Sequence, residues 1–183
     1  MVHPDLTEEE VQFFVGGATI HSYKARTYLI TPDRPHHTIW FVAQGFVRGY
    51  YIDDRGEEIT TRLLKEGGFA THYKAFLLRE PSKYYFQCLE DCVVAGFTYD
   101  HVQAAYAQHP ALEKLGRLIA EEIIKILEYR IESFQFMDAK ARYLDFMRQY
   151  PEVYDRISLS HLSSYLGIAR PSLSRIRKNI AKG

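Results

Sequence analysis

The chain has 183 residues, 46% of them hydrophobic and 14% aromatic, which suits one compact domain joined to a smaller one. This composition excludes a disordered or low-complexity protein. No apolar run is long enough to cross a bilayer, and the first five residues lack the basic and apolar stretches of a signal peptide. We therefore expect a cytoplasmic protein with no membrane partner.

Charge is balanced overall, with 23 basic and 23 acidic side chains, but its distribution is uneven. From Arg156 onward the chain has six cations and no Asp or Glu, so the preceding residues hold an excess of six anions. Such asymmetry indicates a polyanionic partner for the basic piece.

The first predicted element is a short helix, because Thr7 is followed by three glutamates and an apolar run, the pattern of a capping box. From about residue 18 to residue 98, short β-rich runs alternate with turn residues, which predicts an antiparallel sandwich or barrel. The predicted strands are Thr27–Thr31, Thr38–Val42, Phe46–Ile52, Ile59–Leu64, Tyr84–Leu89 and Val93–Tyr99. Cys88 and Cys92, in or beside the last two runs, are expected to be buried free thiols.

Helices follow the β-rich part. Asp100–Gln108 is predicted as a short helix, and Pro110 is placed to open a long one over about Ala111–Phe136. Three shorter helices are predicted after it, over Asp138–Tyr150, Ser158–Tyr165 and from Arg170 to about Ile180.

The long helix carries two apolar stripes at helical spacing. One stripe can pack on the β-rich domain, and the other needs a partner, for which a two-fold dimer mate is the economical solution. The candidate dimer-interface residues are Leu112, Leu115, Ile119, Ile123 and Ile126. The second stripe comprises Leu118, Ile124, Leu127, Ile131 and Phe134. The spacing alone does not decide which stripe faces the mate, and a helix buried inside one chain is the alternative.

The stretch Leu159–Lys178 has the pattern of a helix-turn-helix. Ser163 is small where two helices would approach, Gly167 stands at a tight turn where positive φ suits glycine, and Pro171 fits the first turn of the second helix. The apolar residues that would hold the two helices together are Leu162, Leu166, Ile168, Leu173 and Ile176. An ordinary helical hairpin with a basic surface is the alternative.

The polar residues of the second helix that do not take part in the apolar contact are of the types that bind DNA. Arg pairs with guanine edges in the major groove, while Ser hydroxyls and Lys can hold phosphates. The candidate DNA-binding residues are Arg170, Ser172, Ser174, Arg175, Arg177 and Lys178.

With these motifs the chain resembles the Crp/Fnr family of bacterial transcription regulators. Leu166–Arg175 is similar to the family's helix-turn-helix, and Phe41–Arg48 resembles a strand and turn of its cyclic nucleotide-binding β-roll. The resemblance implies an α+β fold in three parts: a jelly-roll-like antiparallel β-roll sensor domain over residues 1–110, a long dimerisation helix over 111–137, and an all-α helix-turn-helix domain over 138–183. It implies a homodimer that binds a palindromic double-stranded DNA operator, with RNA polymerase as a further candidate partner.

Three departures from the family pattern change these expectations. Family members that bind a cyclic nucleotide hold its ribose with a Glu and its phosphate with an Arg, but Gly68 and Ser82 stand at those positions. A buried cyclic phosphate without a bidentate cation is costly, so we expect no cAMP or cGMP binding. A cAMP- or cGMP-responsive regulator with a divergent pocket is the alternative. Pro171 stands where a Glu accepts from cytosine, so the operator should differ from the cAMP-receptor type.

The rest of the matching region is aromatic and weakly basic, so it could accept an apolar or aromatic acid. The alternative is that its rings simply fill the roll. The candidate effector-pocket residues are Phe69, Thr71, His72, Tyr73, Ser82, Lys83, Tyr84 and Tyr85. We predict no cofactor, no metal ion and no catalytic residue, and the sequence does not identify the effector.

Other classes of function fit the residues less well. A metal-dependent cupin-type β-barrel enzyme would need a His-x-His pair and a Glu on strands, whereas His36 and His37 are adjacent beside Pro35 in a predicted loop. A serine hydrolase would need a Gly-x-Ser-x-Gly turn, which the sequence lacks. We therefore predict that the protein is not an enzyme. A regulator that dimerises but binds partners other than a specific operator is a further alternative.

Overall fold

The computed structural model describes residues 6–180. The strands in that range are β1 (Thr19–Tyr23), β2 (Tyr28–Ile30), β3 (Thr38–Gln44), β4 (Val47–Ile52), β5 (Glu58–Leu64), β6 (Phe69–Ala70), β7 (Tyr85–Cys88) and β8 (Cys92–Thr98). The helices are α1 (Glu8–Gly16), α2 (Tyr73–Leu78), α3 (Tyr99–Gln108), α4 (Pro110–Phe136), α5 (Ala139–Gln149), α6 (Leu159–Leu166) and α7 (Arg170–Ile180), with a 3-10 helix over Pro151–Arg156. The first five residues, on which the signal-peptide expectation rests, lie outside this range. Lys182 of the basic piece also lies outside it.

The strands form two antiparallel sheets that share one core. Their orders are β1-β8-β3-β6 and β2-β7-β4-β5. Val42 and Val94 from the first sheet and Val47 and Phe86 from the second are buried in a single cluster. The predicted α+β fold with an N-terminal antiparallel β-roll is therefore confirmed. The two cysteines are buried and free, as expected.

The sequence pattern does not predict β1, β6 or α2. β1 is the first strand of its sheet and leaves Ile20 66% exposed, so its residues lack the alternation of a half-buried strand. β6 has two residues and α2 has six, too few for a periodic signal. α2 is nevertheless stable in context because it buries Ala75 and Phe76.

The predicted helices are all present, and those after the β-rich part have ends within one residue of the prediction. The capping box of α1 is also present, with the Thr7 amide 2.8 Å from Glu10 Oε2 and the Glu10 amide 3.3 Å from Thr7 Oγ1. Pro151 follows the end of α5 and begins the 3-10 helix, which buries Val153 at 1% exposure. That short helix has no periodic signal of its own.

The C-terminal helices pack directly on the β-roll. Phe46, between β3 and β4, is fully buried in the same cluster as Leu162 and Leu173 of the helix-turn-helix. Leu63 of β5 and Leu89 pack against that cluster. The β-roll therefore supplies part of the hydrophobic core on which the helix-turn-helix rests.

Candidate nucleic-acid interface

α6 and α7 are joined by a tight turn that depends on Gly167. Ser158 caps α6 by accepting a hydrogen bond from the His161 amide at 3.1 Å. Gly167 follows α6 with a φ of +61°, and the next amide, of Ile168, donates to the Ser163 carbonyl at 3.0 Å. A Cβ at position 167 would lie 2.6 Å from a ring carbon of Phe134. Both the backbone conformation and the packing therefore require glycine at this turn.

The apolar residues of the motif make the contact between the two helices. Ser163 is 7% exposed, and its hydroxyl donates to the Ser160 carbonyl at 2.9 Å. The predicted apolar residues are all buried or partly buried in one cluster: Leu162, Leu166, Ile168, Leu173 and Ile176. The pattern therefore predicts this local packing correctly.

The candidate DNA-binding residues lie on α7 in two different environments. The exposed ones are Arg170, Ser172, Arg175 and Lys178. Ser174 and Arg177 are half-buried, and the Arg177 guanidinium lies 4.7 Å from the centre of the Tyr154 ring. Within residues 6–180 no carboxylate forms an ion pair with a cation of α7. The exposed face of α7 is therefore positively charged and uncompensated.

Arg156 belongs to the basic C-terminal piece of the sequence, but in the structure it forms ion pairs with two glutamates of the β-roll. Its guanidinium donates to Glu90 at 2.6 Å and to Glu66 at 2.8 Å, which ties the 3-10 helix to two turns of the β-roll. Hydrogen bonds from Arg156 lower the pKa of Glu66 to about 2, and the pKa of Arg156 is raised by Glu90 and Glu66. Lys65 and Glu152 form a second ion pair across the same boundary. The basic piece thus has one cation fewer to offer a polyanion.

The edge of β5 is covered by helices. In its sheet β5 pairs with β4 on one side. On the other side the Thr60 amide donates to Ser164 Oγ at 2.8 Å, and the Ser164 hydroxyl donates to the Glu58 carbonyl at 2.7 Å. Arg130 of α4 donates to the Thr60 carbonyl at 3.3 Å and to the Tyr165 carbonyl at 2.8 Å. One hydroxyl and one guanidinium therefore satisfy backbone groups that an open strand edge leaves to water.

A buried charge lies close to this contact. Arg48 of β4 is 1% exposed, donates to Thr60 Oγ1 at 2.8 Å and forms an ion pair with Glu58. Its guanidinium also lies 4.2 Å from the centre of the Tyr50 ring. Burial, with a smaller contribution from Arg48, lowers the pKa of His161 in α6. These residues have no local sequence signature, and only the fold brings them together.

The residues predicted to line an effector pocket are brought together only in part: His72 contacts Ser82, the Lys83 amide and Tyr84. Tyr73 is 52% exposed and Lys83 is also exposed, so neither lies inside the roll. Phe69 packs against another phenylalanine of its sheet, and Tyr85 stacks on Tyr50 with ring centres 5.1 Å apart. Two clefts of about 360 and 330 Å³ lie elsewhere, at the β2–β3 loop and between α4 and the C-terminal helices.

Ser82 stands at the position of the family's phosphate-binding arginine, and its side chain is hydrogen-bonded to the backbone of Tyr84. Its hydroxyl donates to the Tyr84 carbonyl and accepts from the Tyr84 amide, both at 2.9 Å, and lies 3.3 Å from His72 Nδ1. His36, which the sequence did not mark as a pocket residue, is 5% exposed with Nε2 at 2.9 Å from Thr71 Oγ1. Burial lowers the pKa of His36 to about 4, so its ring is neutral at pH 7. The polar groups of this cluster therefore bond to one another and to the backbone, and the His36 ring adds no positive charge.

The first apolar stripe of α4 is divided between inside and outside. Leu112 is 2% exposed within the protomer, and Leu115 and Ile119 are half-buried. Farther along the helix Ile126 is 51% exposed, and Ile131 of the second stripe is 57% exposed. The open apolar surface of α4 therefore lies in its C-terminal half and draws on both stripes.

The part of the chain that the structure describes has neither a metal site nor a membrane-spanning helix. No group of three His, Cys, Asp or Glu side chains there is placed to hold a metal ion. None of the helices there is both long enough and apolar enough to cross a membrane.

Known proteins share this fold and arrangement. Residues 20–109 match the cyclic nucleotide-binding domain model. The chain is 20% identical to the cAMP-activated global transcriptional regulator CRP of Salmonella typhimurium, over 94% of this chain and 87% of that protein. Its fold matches the c-di-GMP responsive global regulator CLP of Xanthomonas campestris with a TM-score of 0.76 at 17% identity, covering 96% and 92% of the two chains. A Crp/Fnr regulator from Eubacterium rectale matches with a TM-score of 0.74 at 14% identity, covering 98% and 86%.

The domain match and the fold define a protein with a β-roll of the cyclic nucleotide-binding type followed by a long helix and a helical domain. Together with the relatives along nearly the whole chain, they confirm the resemblance seen in the sequence. Residues 20–109 therefore match a cyclic nucleotide-binding domain, and the chain as a whole has the fold of Crp/Fnr transcription regulators.

Proposed function

We propose that the chain is a homodimeric, sequence-specific DNA-binding regulator that inserts α7 into the major groove. The observation that carries this proposal is the exposed basic face of α7, where Arg170, Arg175 and Lys178 meet no carboxylate within residues 6–180. Arginine can pair bidentately with guanine, and lysine can hold a phosphate. Arg177 packs on Tyr154, so we assign it a supporting role.

The proposed division of labour follows the chain. Residues 1–110 form the sensor, 111–137 the dimerisation helix and 138–183 the DNA-binding domain. RNA polymerase is retained as a candidate partner of the DNA-bound regulator.

The proposed dimer contact is the open apolar surface in the C-terminal half of α4. Ile124 and Ile131 are seven residues apart, so they lie on the same face of the helix, and each is more than half exposed. Contiguous exposed apolar surface marks protein interfaces. Of the stripe expected from the sequence, Ile126 is exposed but lines the cleft between α4 and the C-terminal helices, and Leu112 is already buried in the protomer. A two-fold dimer would present two copies of α7 to successive major grooves, roughly 34 Å apart, and therefore favours a palindromic operator.

The effector is proposed to be something other than a cyclic nucleotide. Gly68 has no carboxylate for a ribose, and the Ser82 hydroxyl is occupied by the backbone of Tyr84. An effector would act by changing the packing between the β-roll and α4 and so favouring one of two dimer arrangements. The second candidate is a cAMP- or cGMP-responsive regulator, which the domain match and the cAMP-activated relative favour. Equilibrium dialysis with each nucleotide separates the two.

The proposed function is tested by selecting bound sequences from random double-stranded DNA with the full chain. We expect enrichment of a palindrome with half-sites about one helical turn apart, and affinity that falls steeply with salt as counterions are released. Failure to enrich any palindrome would overturn sequence-specific binding. It would favour the regulator that acts through other partners. Tight, stoichiometric binding of a metal ion in a titration would instead favour the metal-dependent β-barrel enzyme.

A further inference from the structure

We propose that Ser164 is a positioning residue that locks α6 onto the edge of β5 and so determines where α7 stands relative to the β-roll. This inference rests on the proposed DNA binding, because its consequence is the separation of the two recognition helices in a dimer. Ser164 does not lie among the candidate DNA-binding residues, and it is half-buried at the boundary with the β-roll.

The Ser164 hydroxyl takes the place of a neighbouring strand. Residues two apart on a strand present their backbone groups to the same side, so the Glu58 carbonyl and both backbone groups of Thr60 face away from β4 together. A serine hydroxyl carries one donor and two acceptor sites. Ser164 uses both kinds, accepting from the Thr60 amide at 2.8 Å and donating to the Glu58 carbonyl at 2.7 Å.

Two further attachments surround this hydrogen-bonded pair. Arg130 joins the Thr60 carbonyl to the Tyr165 carbonyl, so the long helix, the strand edge and the end of α6 meet at one point. Phe46 of the β-roll is buried within the core of the helix-turn-helix. The contact between α6 and β5 is therefore part of the packing of both the β-roll and the helix-turn-helix. The Ser164 hydroxyl fixes the position of α6 along the strand.

The Ser164 contact fixes the position of α6 and leaves the DNA-binding face of α7 exposed. α7 follows α6 through the single turn at Gly167, so a fixed α6 leaves α7 little freedom. The exposed cations of α7 are not covered by β5, because Arg170 and Arg175 stay exposed while Ser164 is engaged. A locked dimer should therefore bind half-sites at one separation, and an unlocked dimer should tolerate several.

The first measurement is independent of DNA. Amide hydrogen exchange of Thr60, followed by NMR in the full chain, should be slow in the wild type because Ser164 accepts that hydrogen bond. Ser164→Ala should speed this exchange by roughly tenfold or more, since about one hydrogen bond's net free energy is lost. Ser164→Thr keeps the hydroxyl and should restore slow exchange. Ser160→Ala is the matched control, because Ser160 is an exposed serine of the same helix.

The second measurement uses the selected operator with its half-sites moved apart or together by one to three base pairs. The wild type should discriminate strongly between spacings, and Ser164→Ala should lose most of that discrimination while keeping its affinity for a single half-site. A merely structural defect would weaken single half-site binding as well.

Three outcomes would overturn the proposal. Unchanged Thr60 exchange in Ser164→Ala would show that the hydroxyl does not hold the contact. Faster exchange with unchanged spacing discrimination would show that the contact does not position α7. A wild type that binds no operator would remove the proposed function and the positioning role together, while the exchange result still reports the contact itself.

Discussion

The guanidinium of Arg156 lies 2.8 Å from Glu66 Oε1, although 90 residues separate the two along the chain. The pair joins the 3-10 helix of the C-terminal domain to the β5–β6 turn of the β-roll. It also explains why one member of the basic C-terminal piece does not contribute to the exposed charge of α7.

This pair predicts a pH dependence of stability. The pKa of Glu66 falls from 4.5 to about 2 on folding, so its stabilising contribution is complete above pH 4.5 and is lost as the pH falls through 2. Glu66→Gln should lower the free energy of unfolding at pH 7 by about 1 kcal/mol or less, because the pair is partly exposed. It should also flatten the decline in stability between those pH values, as measured by urea unfolding. Glu57→Gln, at an exposed turn glutamate, is the control, and an equal decline in wild type and Glu66→Gln would contradict the assignment.

His36 predicts a second pH dependence in a different range. Its folded pKa of about 4 lies below the ordinary 6.5, so between these values the unfolded chain binds a proton that the folded protein does not. Stability should therefore fall as the pH drops from 6.5 to 4, by about 3 kcal/mol at most from this group. His36→Gln, which cannot titrate, should remove that part of the decline in urea unfolding. His37→Gln, at the exposed neighbour, should keep it, and a decline of wild-type size in His36→Gln would refute the prediction.

Gly167→Ala should destabilise the protein through two separate effects. The residue has a φ of +61°, and its Cβ would meet the Phe134 ring at 2.6 Å. Gly56→Ala is a matched control, because Gly56 has a φ of +82° but open space around it. We expect the control to cost about 1 kcal/mol from backbone strain alone and Gly167→Ala to cost clearly more, as measured by thermal unfolding. Equal costs would mean that the Phe134 contact relaxes freely.

Arg175→Ala should weaken operator binding by roughly tenfold or more while leaving the unfolding temperature unchanged. The reason is that Arg175 is exposed on α7 and its side chain makes no ion pair in the described part of the chain. Fluorescence anisotropy at fixed salt measures the affinity. Arg55→Ala, at an exposed arginine of the β4–β5 turn, controls for the loss of one positive charge. A similar loss of affinity in both variants would show that the effect comes from net charge and not from base contacts.

Ile131→Asp should convert the proposed dimer into a monomer, because it places a charge on the open apolar surface of α4, where Ile131 is 57% exposed. Sedimentation equilibrium measures the change. Ile20→Asp is the control, since Ile20 is 66% exposed on β1, far from α4 in the sequence. The assignment of this surface would be rejected if Ile131→Asp remained as associated as the wild type.

Local patterns predicted the elements that carry strong local signals. The helices after the β-rich part and the helix-turn-helix were predicted to within one residue, because their apolar spacing, caps and Gly167 are all set by neighbours in the chain. β1, β6 and α2 were missed, because their stability comes from pairing and packing with distant residues rather than from their own pattern. The same limit applies to the sensor, where the aromatic residues named from the sequence are scattered and His36 lies inside.

The sequence by itself indicated the resemblance to the Crp/Fnr family and the class of fold, since the motif spanning Leu166–Arg175 and the order of β-rich and helical segments are local features. Only the tertiary structure decided which polar residues of the chain join the β-roll to the C-terminal helices. Ser164 and Thr60 are 104 residues apart, and no pattern in either segment announces their contact. Likewise, both stripes of α4 look alike in the sequence, and folding alone places Leu112 inside and leaves Ile131 open. The physical reason is that burial and hydrogen bonding depend on which distant surfaces meet, and that is a property of the packed chain.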